Sequence, residues 1–273
     1  MNLTVQIESA ENQFKQILEE FFISVYDEKS LSSHGIDHHR RVWSYSKELL
    51  ELIPYKNNLH FFYLPSKLII ASYMHDIGMS VDPGMNHGKY SRDLCSQFLV
   101  RYNLPENEYH DVLEAIEYHD NKDYTTNTPV NDLLTLLSVS DDLDAFGYTG
   151  IFRYAEIYLT RGIDPENIGH LIRENAARRF SNFVKTFGTF NEMVQKHRKR
   201  YKTLDNFFSK YNKQAPSYQF STKHPTGYCG VVELLILMIK DKKEIKEFYL
   251  EPDKYLVDPV ICWFFNGLAH ELS

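Results

Sequence analysis

The sequence predicts an all-α protein. Through most of its 273 residues, apolar side chains recur at spacings of three and four, as they do on one face of an α-helix. The alternation of apolar and polar residues that is typical of strands is almost absent. Prolines and glycines fall mainly between the periodic segments, where they begin or end helices.

One proline and one glycine are predicted to mark the two ends of the helix that carries His75 and Asp76. Pro65 is predicted to open it, and Gly78 to end it in the left-handed conformation that is common after a helix C-terminus. A turn is predicted at Gly147–Gly150. In chain order, helices are predicted over 10–28, 36–53, Pro65 to Gly78, Asn86 to Leu99, Pro105 to Ile116, 130–143, 151–161, 165–187, 190–211, 228–248 and 258–270.

The chain is predicted to divide near its C-terminal end. Residues 212–227 are polar and include two prolines, which is typical of a linker. The sequence therefore predicts a main body at 1–211, a linker at 212–227 and a C-terminal helical extension at 228–273.

Composition excludes several classes of protein. A formal net charge of −7 argues against general nucleic-acid binding. Cys95, Cys229 and Cys262 are far apart and odd in number, which favours a reducing, cytoplasmic setting over a disulfide framework. The longest apolar run, Val231–Ile239, falls far short of the ~20 residues that span a bilayer, so we expect a soluble protein without a membrane partner.

A first cluster of histidines lies at the start of the helix predicted over 36–53. His34, His38 and His39 stand there, followed by Arg40-Arg41-Val42-Trp43. Histidine is the commonest metal ligand in proteins, but clustered histidines are also typical of a solvated helix start. Taken alone, the cluster leaves both interpretations open.

Two further clusters combine histidine with aspartate. His75 and Asp76 end an apolar helix, and adjacent helical residues point ~100° apart, so both reach one ion only if it lies between them. Asp141 and Asp144 lie one turn apart on another apolar helix. A buried charge is costly unless it is paired or bound to a metal, which favours a metal ligand at Asp141, although a half-exposed helix is the alternative.

The order of these clusters resembles the HD superfamily of metal-dependent phosphohydrolases, and most closely its small bacterial hydrolases. Segment 34–42 resembles the family pattern His-Asp-x-x-His-x-x-Arg-Val, 75–78 its His-Asp signature, and 141–151 its Asp-Arg-Leu-Asp-Ala-x-Gly-x-x-Gly-Ile segment. The resemblance covers residues 10–211 or so. It implies an HD-type helical bundle in the main body, in which a metal ion is bound by four residues: His38, His75, Asp76 and Asp141.

The chain departs from the family pattern at three positions. Gly35 stands where Asp is usual, Asp142 replaces an Arg, and Asp120 follows His119 where Ser is usual. If that Arg binds phosphate in relatives, this protein must recognise its substrate differently.

The resemblance also implies roles for His87 and His119, and Lys122 is a further candidate because it lies just beyond His119. His87 and His119, together with Asp76, are predicted to be catalytic; the two histidines would orient a phosphate or protonate the leaving oxygen. Lys122 is predicted to bind the substrate's phosphate, with an ordinary solvated lysine as the alternative. Relatives with two metals use two extra histidines in this order, so a second ion remains open.

Nitrogen and oxygen ligands without thiolate favour Mn²⁺, Mg²⁺, Co²⁺ or Fe²⁺ over structural zinc. Two imidazoles and two carboxylates leave two positions of a six-coordinate ion for water and a phosphate oxygen. The predicted function is therefore a metal-dependent phosphohydrolase acting on a small-molecule phosphate, either a nucleotide or another small phosphate ester. Assembly as a homo-oligomer is left open.

Two other functions fit the same residues. One is a diiron oxygenase with His87 and His119 as extra ligands, and the other is a regulatory binding module with a structural metal. Two charged features remain: Arg41 is predicted to pair with Asp144, and the basic run Lys196–Lys202 favours a solvated helix face over a polyanion contact.

Overall fold

The computed structural model describes residues 2–26, 31–54, 59–121, 129–220, 224–241 and 258–272. All regular structure in these ranges is helical, which confirms the predicted fold class.

The chain divides into unit 1, which comprises Met1–Asp144 and Lys185–Phe190, and unit 2, which comprises Ala145–Val184 and Asn191–Ser273. The functional boundary at residue 211 stays a prediction. Among the described helices, none is both long and apolar enough to cross a membrane.

Unit 1 contains seven α-helices in its described residues, joined by short turns. A π-helical turn at Glu11–Lys15 links the first two into one continuous helical segment, and Glu11 there accepts hydrogen bonds from Trp43 Nε1 and Lys47 Nζ on the third. The helices are α1 (Leu3–Ala10), α2 (Gln16–Val25), α3 (Ile36–Leu52), α4 (Leu59–Met74), α5 (His87–Arg101), α6 (His110–Tyr118) and α7 (Leu133–Asp144).

The core of unit 1 brings together the elements that carry the histidine and aspartate clusters. Helix α3 packs against α4 and α7, while α5 packs against α6 and the 3₁₀ turn Ile77–Ser80. The apolar faces of α3, α4 and α7 are fully buried, as at Leu49, Leu68 and Leu136. Burial of these faces places the start of α3, the end of α4 and the last turns of α7 side by side.

Helix α4 begins at Leu59, so the prediction that Pro65 opens it was wrong. Proline has no amide hydrogen, and the carbonyl of Phe61 therefore loses its usual helical donor. Phe61 and Leu64 are nonetheless buried in the core. Burial of this apolar turn stabilises helix on both sides of the proline, an effect that local rules for helix starts do not contain.

Unit 2 is built mainly from α8 (Gly147–Thr160), α9 (Pro165–Phe187), α10 (Asn191–Gln214), α11 (Gly227–Asp241) and α12 (Pro259–Leu272). The last three residues of α9 belong to unit 1. Gly147–Gly150 forms the first turn of α8 and not a separate turn. Gly147 has a positive φ of 74° at the start of this helix, and a Cβ at Gly150 would collide with the carbonyl oxygen of Ala145.

The C-terminal helices are part of the core of unit 2. Helices α11 and α12 pack against each other and against α8, and α11 also packs against α10. Phe208 and Tyr211 of α10 and Phe264 and Phe265 of α12 are almost completely buried. The described residues of the predicted C-terminal extension therefore contribute buried apolar surface to this unit.

Buried His197 on α10 is expected to make stability depend on pH. Burial, and then the charges of Arg200 and Lys196, lower the pKa of His197 to about 2. In the unfolded chain histidine takes up a proton below a pKa of about 6.5, whereas the folded state does not, so stability falls as pH decreases. Between pH 7.5 and 5, His197 should account for about 2 kcal/mol of the stability lost in urea unfolding, and His197→Leu should remove this share. Buried His39 and His75, whose pKa values are also lowered, keep their own contributions in this variant.

The matched control for this measurement is His170→Leu, because His170 is exposed on α9. This variant should keep the pH dependence of the wild-type protein. If His197→Leu keeps it as well, His197 is not the responsible group.

Candidate metal centre

The four predicted metal ligands lie together in unit 1. His38 is on the first turn of α3, His75 and Asp76 directly follow α4, and Asp141 is on α7. One ligand atom of each lies within 4.8 Å of the ligand atoms of the other three, and all four residues are buried. We call His38, His75, Asp76 and Asp141 the first group.

A second group shares Asp76 with the first. It consists of Asp76, His87 at the start of α5 and His119 just after α6, and all three are buried. Asp76 Oδ2 lies 3.4 Å from His38 Nε2 and 3.3 Å from His75 Nε2. Asp76 Oδ1 lies 3.4 Å from His87 Nε2 and 3.1 Å from His119 Nε2. The two oxygens of one carboxylate thus face two different pairs of histidines.

The four histidines of the two groups all present Nε2 to Asp76 because Nδ1 is engaged elsewhere. Carbonyl and ionised carboxylate oxygens only accept hydrogen bonds, so Nδ1 is the donor in each of these contacts, and the ring is oriented with Nε2 toward Asp76. Metal-binding histidines in proteins are oriented by this same arrangement. The Nδ1 partners are the carboxylate of Asp144 for His38 at 2.8 Å, and the carbonyls of Ser72 for His75 at 3.0 Å, Gly84 for His87 at 2.8 Å and Ile116 for His119 at 2.7 Å.

The donor set of the first group fits a divalent cation. His38 Nε2 and His75 Nε2 are 3.1 Å apart, and both face Asp76 Oδ2. Two buried carboxylates, Asp76 and Asp141, adjoin them. Two carboxylates so close together in a buried site are unfavourable unless positive charge lies beside them, and a metal cation among these four ligands would supply it.

The protonation states of the core residues suit this role. Burial alone would raise the pKa of Asp76, but close contacts with the imidazoles of His75, His119 and His38 hold it well below its ordinary value. Burial lowers the pKa of His75, so its imidazole is neutral near pH 7. Asp76 is therefore a carboxylate and His75 a neutral base, the forms in which both bind metals.

The structure separates His38 from its neighbour His39. His39 turns toward α4, where its Nδ1 is 3.3 Å from the Ser72 carbonyl, and it joins neither group. Burial lowers the pKa of His39 well below its ordinary value. The choice of His38 over His39 as the candidate ligand agrees with this geometry.

Asp144 links His38 of the first group to the guanidinium of Arg41. Arg41 donates from Nε to Asp144 Oδ1 at 2.7 Å and from Nη2 to Oδ2 at 3.0 Å. The same carboxylate holds His38 through Nδ1, and it is completely buried. The predicted Arg41–Asp144 ion pair is confirmed, and it fixes the orientation of a candidate ligand.

Replacing Asp144 with Ala is expected to cost about 3 kcal/mol or more, because it leaves the guanidinium of Arg41 largely buried without its partner. Loss of the carboxylate that orients His38 should also weaken metal binding about 10- to 100-fold. Urea unfolding and titration with Mn²⁺ measure the two effects. Asp37→Ala is the control, since Asp37 pairs with Arg40 on the surface and its loss should cost no more than about 1 kcal/mol. Equal losses in both variants would contradict the proposed role of Asp144.

Two further polar residues border the groups. His34 is buried, with Nε2 3.9 Å from Asp76 Oδ2 and Nδ1 2.8 Å from Ser33 Oγ. Asp120 Oδ2 lies 3.9 Å from His87 Nε2. Neither was among the predicted site residues, although His34 belongs to the same histidine cluster as His38 and Asp120 directly follows His119.

The structure describes one of the two other residues that the sequence singles out, Asp142 and Lys122. Asp142, where relatives carry Arg, is fully buried and belongs to neither group, so it offers no exposed charge to a substrate. Lys122, predicted to bind substrate phosphate, lies outside the described residues.

Comparison with known proteins identifies one family. Residues 35–146 match the family model described as the HD domain, a range that contains every residue of both groups. No match to the chain was found among curated proteins or among solved structures.

Proposed function

From the premise that residues 35–146 form an HD domain, we propose that this protein is a divalent-metal-dependent phosphohydrolase. The proposed substrate is a nucleotide or another small phosphate ester. One observation carries the proposal: the two oxygens of Asp76 face separate pairs of histidines, each of which turns Nε2 toward this carboxylate. This places several ligands around one buried carboxylate.

The first group is proposed to hold the ion, with Mn²⁺, Mg²⁺, Co²⁺ and Fe²⁺ as candidates for its mixed nitrogen and oxygen ligands. When bound, a divalent ion acidifies a coordinated water and offsets negative charge that develops on phosphorus. His38 and His75 would supply nitrogen donors, and Asp76 and Asp141 would supply carboxylate oxygens. Arg41 and Asp144 keep His38 in place during the reaction.

Two roles are compatible with the geometry of His87 and His119. With one ion in the first group, they would orient the phosphate or protonate the leaving oxygen, as the catalytic and substrate-binding roles predicted from the sequence require. Alternatively, they would hold a second ion together with Asp76. The approach of both Nε2 atoms to the same oxygen, Asp76 Oδ1, favours the second role, and the number of metal ions per chain distinguishes the two.

The test is phosphate or pyrophosphate release from a panel of nucleotides, with each candidate metal added to chelator-treated protein. We expect metal-dependent turnover that is lost in His75→Ala. His170→Ala is the matched control, because it replaces an exposed histidine outside both groups. Absence of turnover with every metal and substrate, from protein that binds the metal and is folded, would contradict the proposal.

The second group also supports another candidate, a diiron oxygenase. That function requires two iron ions per chain and consumption of O₂ on addition of an organic substrate, without release of phosphate. If the protein is instead a regulatory module with a structural metal, neither reaction should occur. Chelators should then remove the metal only when the protein unfolds. Metal analysis and an oxygen electrode, applied to the same preparation, separate the three functions.

A cytoplasmic location and assembly as a homo-oligomer stay predictions.

A further inference from the structure

Unit 2 contains a cavity of its own, with a volume of about 640 Å³. Its walls come from α8, α10, α11 and α12, and four aromatic side chains are among the lining residues: Tyr148, Phe207, Tyr228 and Trp263. A volume of this size lies within the range of small-molecule binding sites in proteins.

Trp263 is the most accessible ring of this cavity. Its side chain is 40% exposed, whereas Phe207 is 1% exposed. Trp263 is nearly parallel to Phe207, at 15°, and its centroid is 4.9 Å from that of Tyr148. The ring is thus held in place by aromatic neighbours while much of it remains open to solvent. A fixed, exposed indole provides a surface for stacking of a flat ring.

Positive charge lines another wall of the cavity. Lys199, Lys202 and Lys210 all line it from α10, where spacings of three and eight residues place them along one face. In the part of the chain that the structure describes, none of the three forms an ion pair. Lys210 Nζ instead lies 5.3 Å from the centroid of Tyr228. Three like charges beside an aromatic wall complement an anion with an aromatic ring.

The basic run Lys196–Lys202 is therefore divided between two roles. Arg200 is internal to the fold: its Nη2 donates to the carbonyl of Phe146 at 2.9 Å, and its Nε lies 3.7 Å from Glu271 Oε1. Lys199 and Lys202 instead face the cavity. A purely solvated helix face would not combine these lysines with an exposed tryptophan.

We propose that this cavity binds a nucleotide. The base stacks on Trp263, and the phosphates lie along Lys199, Lys202 and Lys210 on α10. This site belongs to unit 2, its residues are separate from both metal groups, and binding requires no metal. The inference therefore goes beyond the proposed phosphohydrolase activity and does not depend on it.

The test uses the full chain in excess EDTA, with ATP as the probe, so that metal-dependent turnover does not interfere. The protein has two tryptophans, and Trp43 is buried, so quenching of tryptophan fluorescence by ATP reports mainly on Trp263. We expect saturable quenching. In the Lys199→Glu/Lys202→Glu variant the dissociation constant should rise at least about tenfold, because charge-assisted contacts to phosphate are lost.

The matched control is Lys185→Glu/Lys213→Glu, which changes net charge equally at exposed lysines that do not line the cavity and should bind ATP like the wild type. Trp43→Phe should retain the quenching. The proposal is overturned if ATP gives no saturable quenching or if the two double variants lose affinity equally. It is also overturned if adenosine or inorganic triphosphate binds as tightly as ATP. Binding of an oligothymidylate about 100-fold tighter than ATP would instead indicate a single-stranded nucleic-acid site.

Discussion

Asp76→Asn is expected to remove metal from both groups and to lower metal-dependent phosphate release at least about a thousandfold. The substitution preserves shape but removes the carboxylate that faces all four histidines. It also replaces one of the two carboxylate oxygens that face imidazole nitrogens with an amide nitrogen. Since each 1.4 kcal/mol of lost transition-state stabilisation lowers the rate tenfold, loss of several kcal/mol gives an effect of this size.

Metal content per chain gives a readout that is independent of activity. Asp141→Asn changes the first group alone, and His87→Ala/His119→Ala changes the second group alone. If Asp76 bridges two ions, the wild type holds two, each of these variants holds one, and Asp76→Asn holds none. Asp111→Asn, at an exposed ion pair with Lys67, should keep the wild-type content. Retention of a tightly bound ion in Asp76→Asn would contradict the central role of this carboxylate.

The features that the sequence could predict are those carried by residue identity and helical spacing. His38 was distinguished from His39 by its distance along the chain from Arg41 and Val42, and the Arg41–Asp144 ion pair follows from the same motifs. The all-α class follows from apolar periodicity alone. Each of these inferences depends on side chains that the sequence names directly.

The features that it could not predict depend on the backbone and on tertiary packing. The carbonyls of Ser72, Gly84 and Ile116 orient three of the four histidines, and any residue type provides a carbonyl. The division of Asp76 between two pairs of histidines arises from the packing of α5 and α6. Pro65 lies inside α4 because burial of the surrounding apolar residues outweighs a local rule.

Gly78 shows this difference most clearly. It was predicted to adopt a left-handed conformation after a helix end, but it is not among the positive-φ glycines in the described residues. Glycine is needed at this position because there is no room for a Cβ atom. A Cβ at Gly78 would collide with the carbonyl oxygen of His87 and lie 2.5 Å from the amide nitrogen of Ser91. The Gly78 amide also donates to Ser91 Oγ at 2.8 Å, so this turn lies directly against the first turn of α5.

Gly78→Ala is therefore expected to push the start of α5 away from Asp76 and to destabilise the protein by about 2 kcal/mol, within the range for overpacking. Because α5 carries His87, the second group should lose its alignment. A displacement of about 1 Å at a catalytic group can lower turnover about 100-fold. Urea unfolding, metal content and phosphate release, measured on the same preparation, report these three effects.

Gly35→Ala is the control, because it also adds a methyl group next to the site. A Cβ at Gly35 would lie 3.5 Å from the Ser32 carbonyl oxygen, an ordinary contact, and φ there is −70°. We expect Gly35→Ala to change stability by no more than about 1 kcal/mol and to leave metal content unchanged. Adding Ser91→Ala to Gly78→Ala should not restore activity, since the collision involves the α5 backbone. Full recovery in that double variant would show that the added methyl group collides only with the Ser91 side chain and not with the α5 backbone.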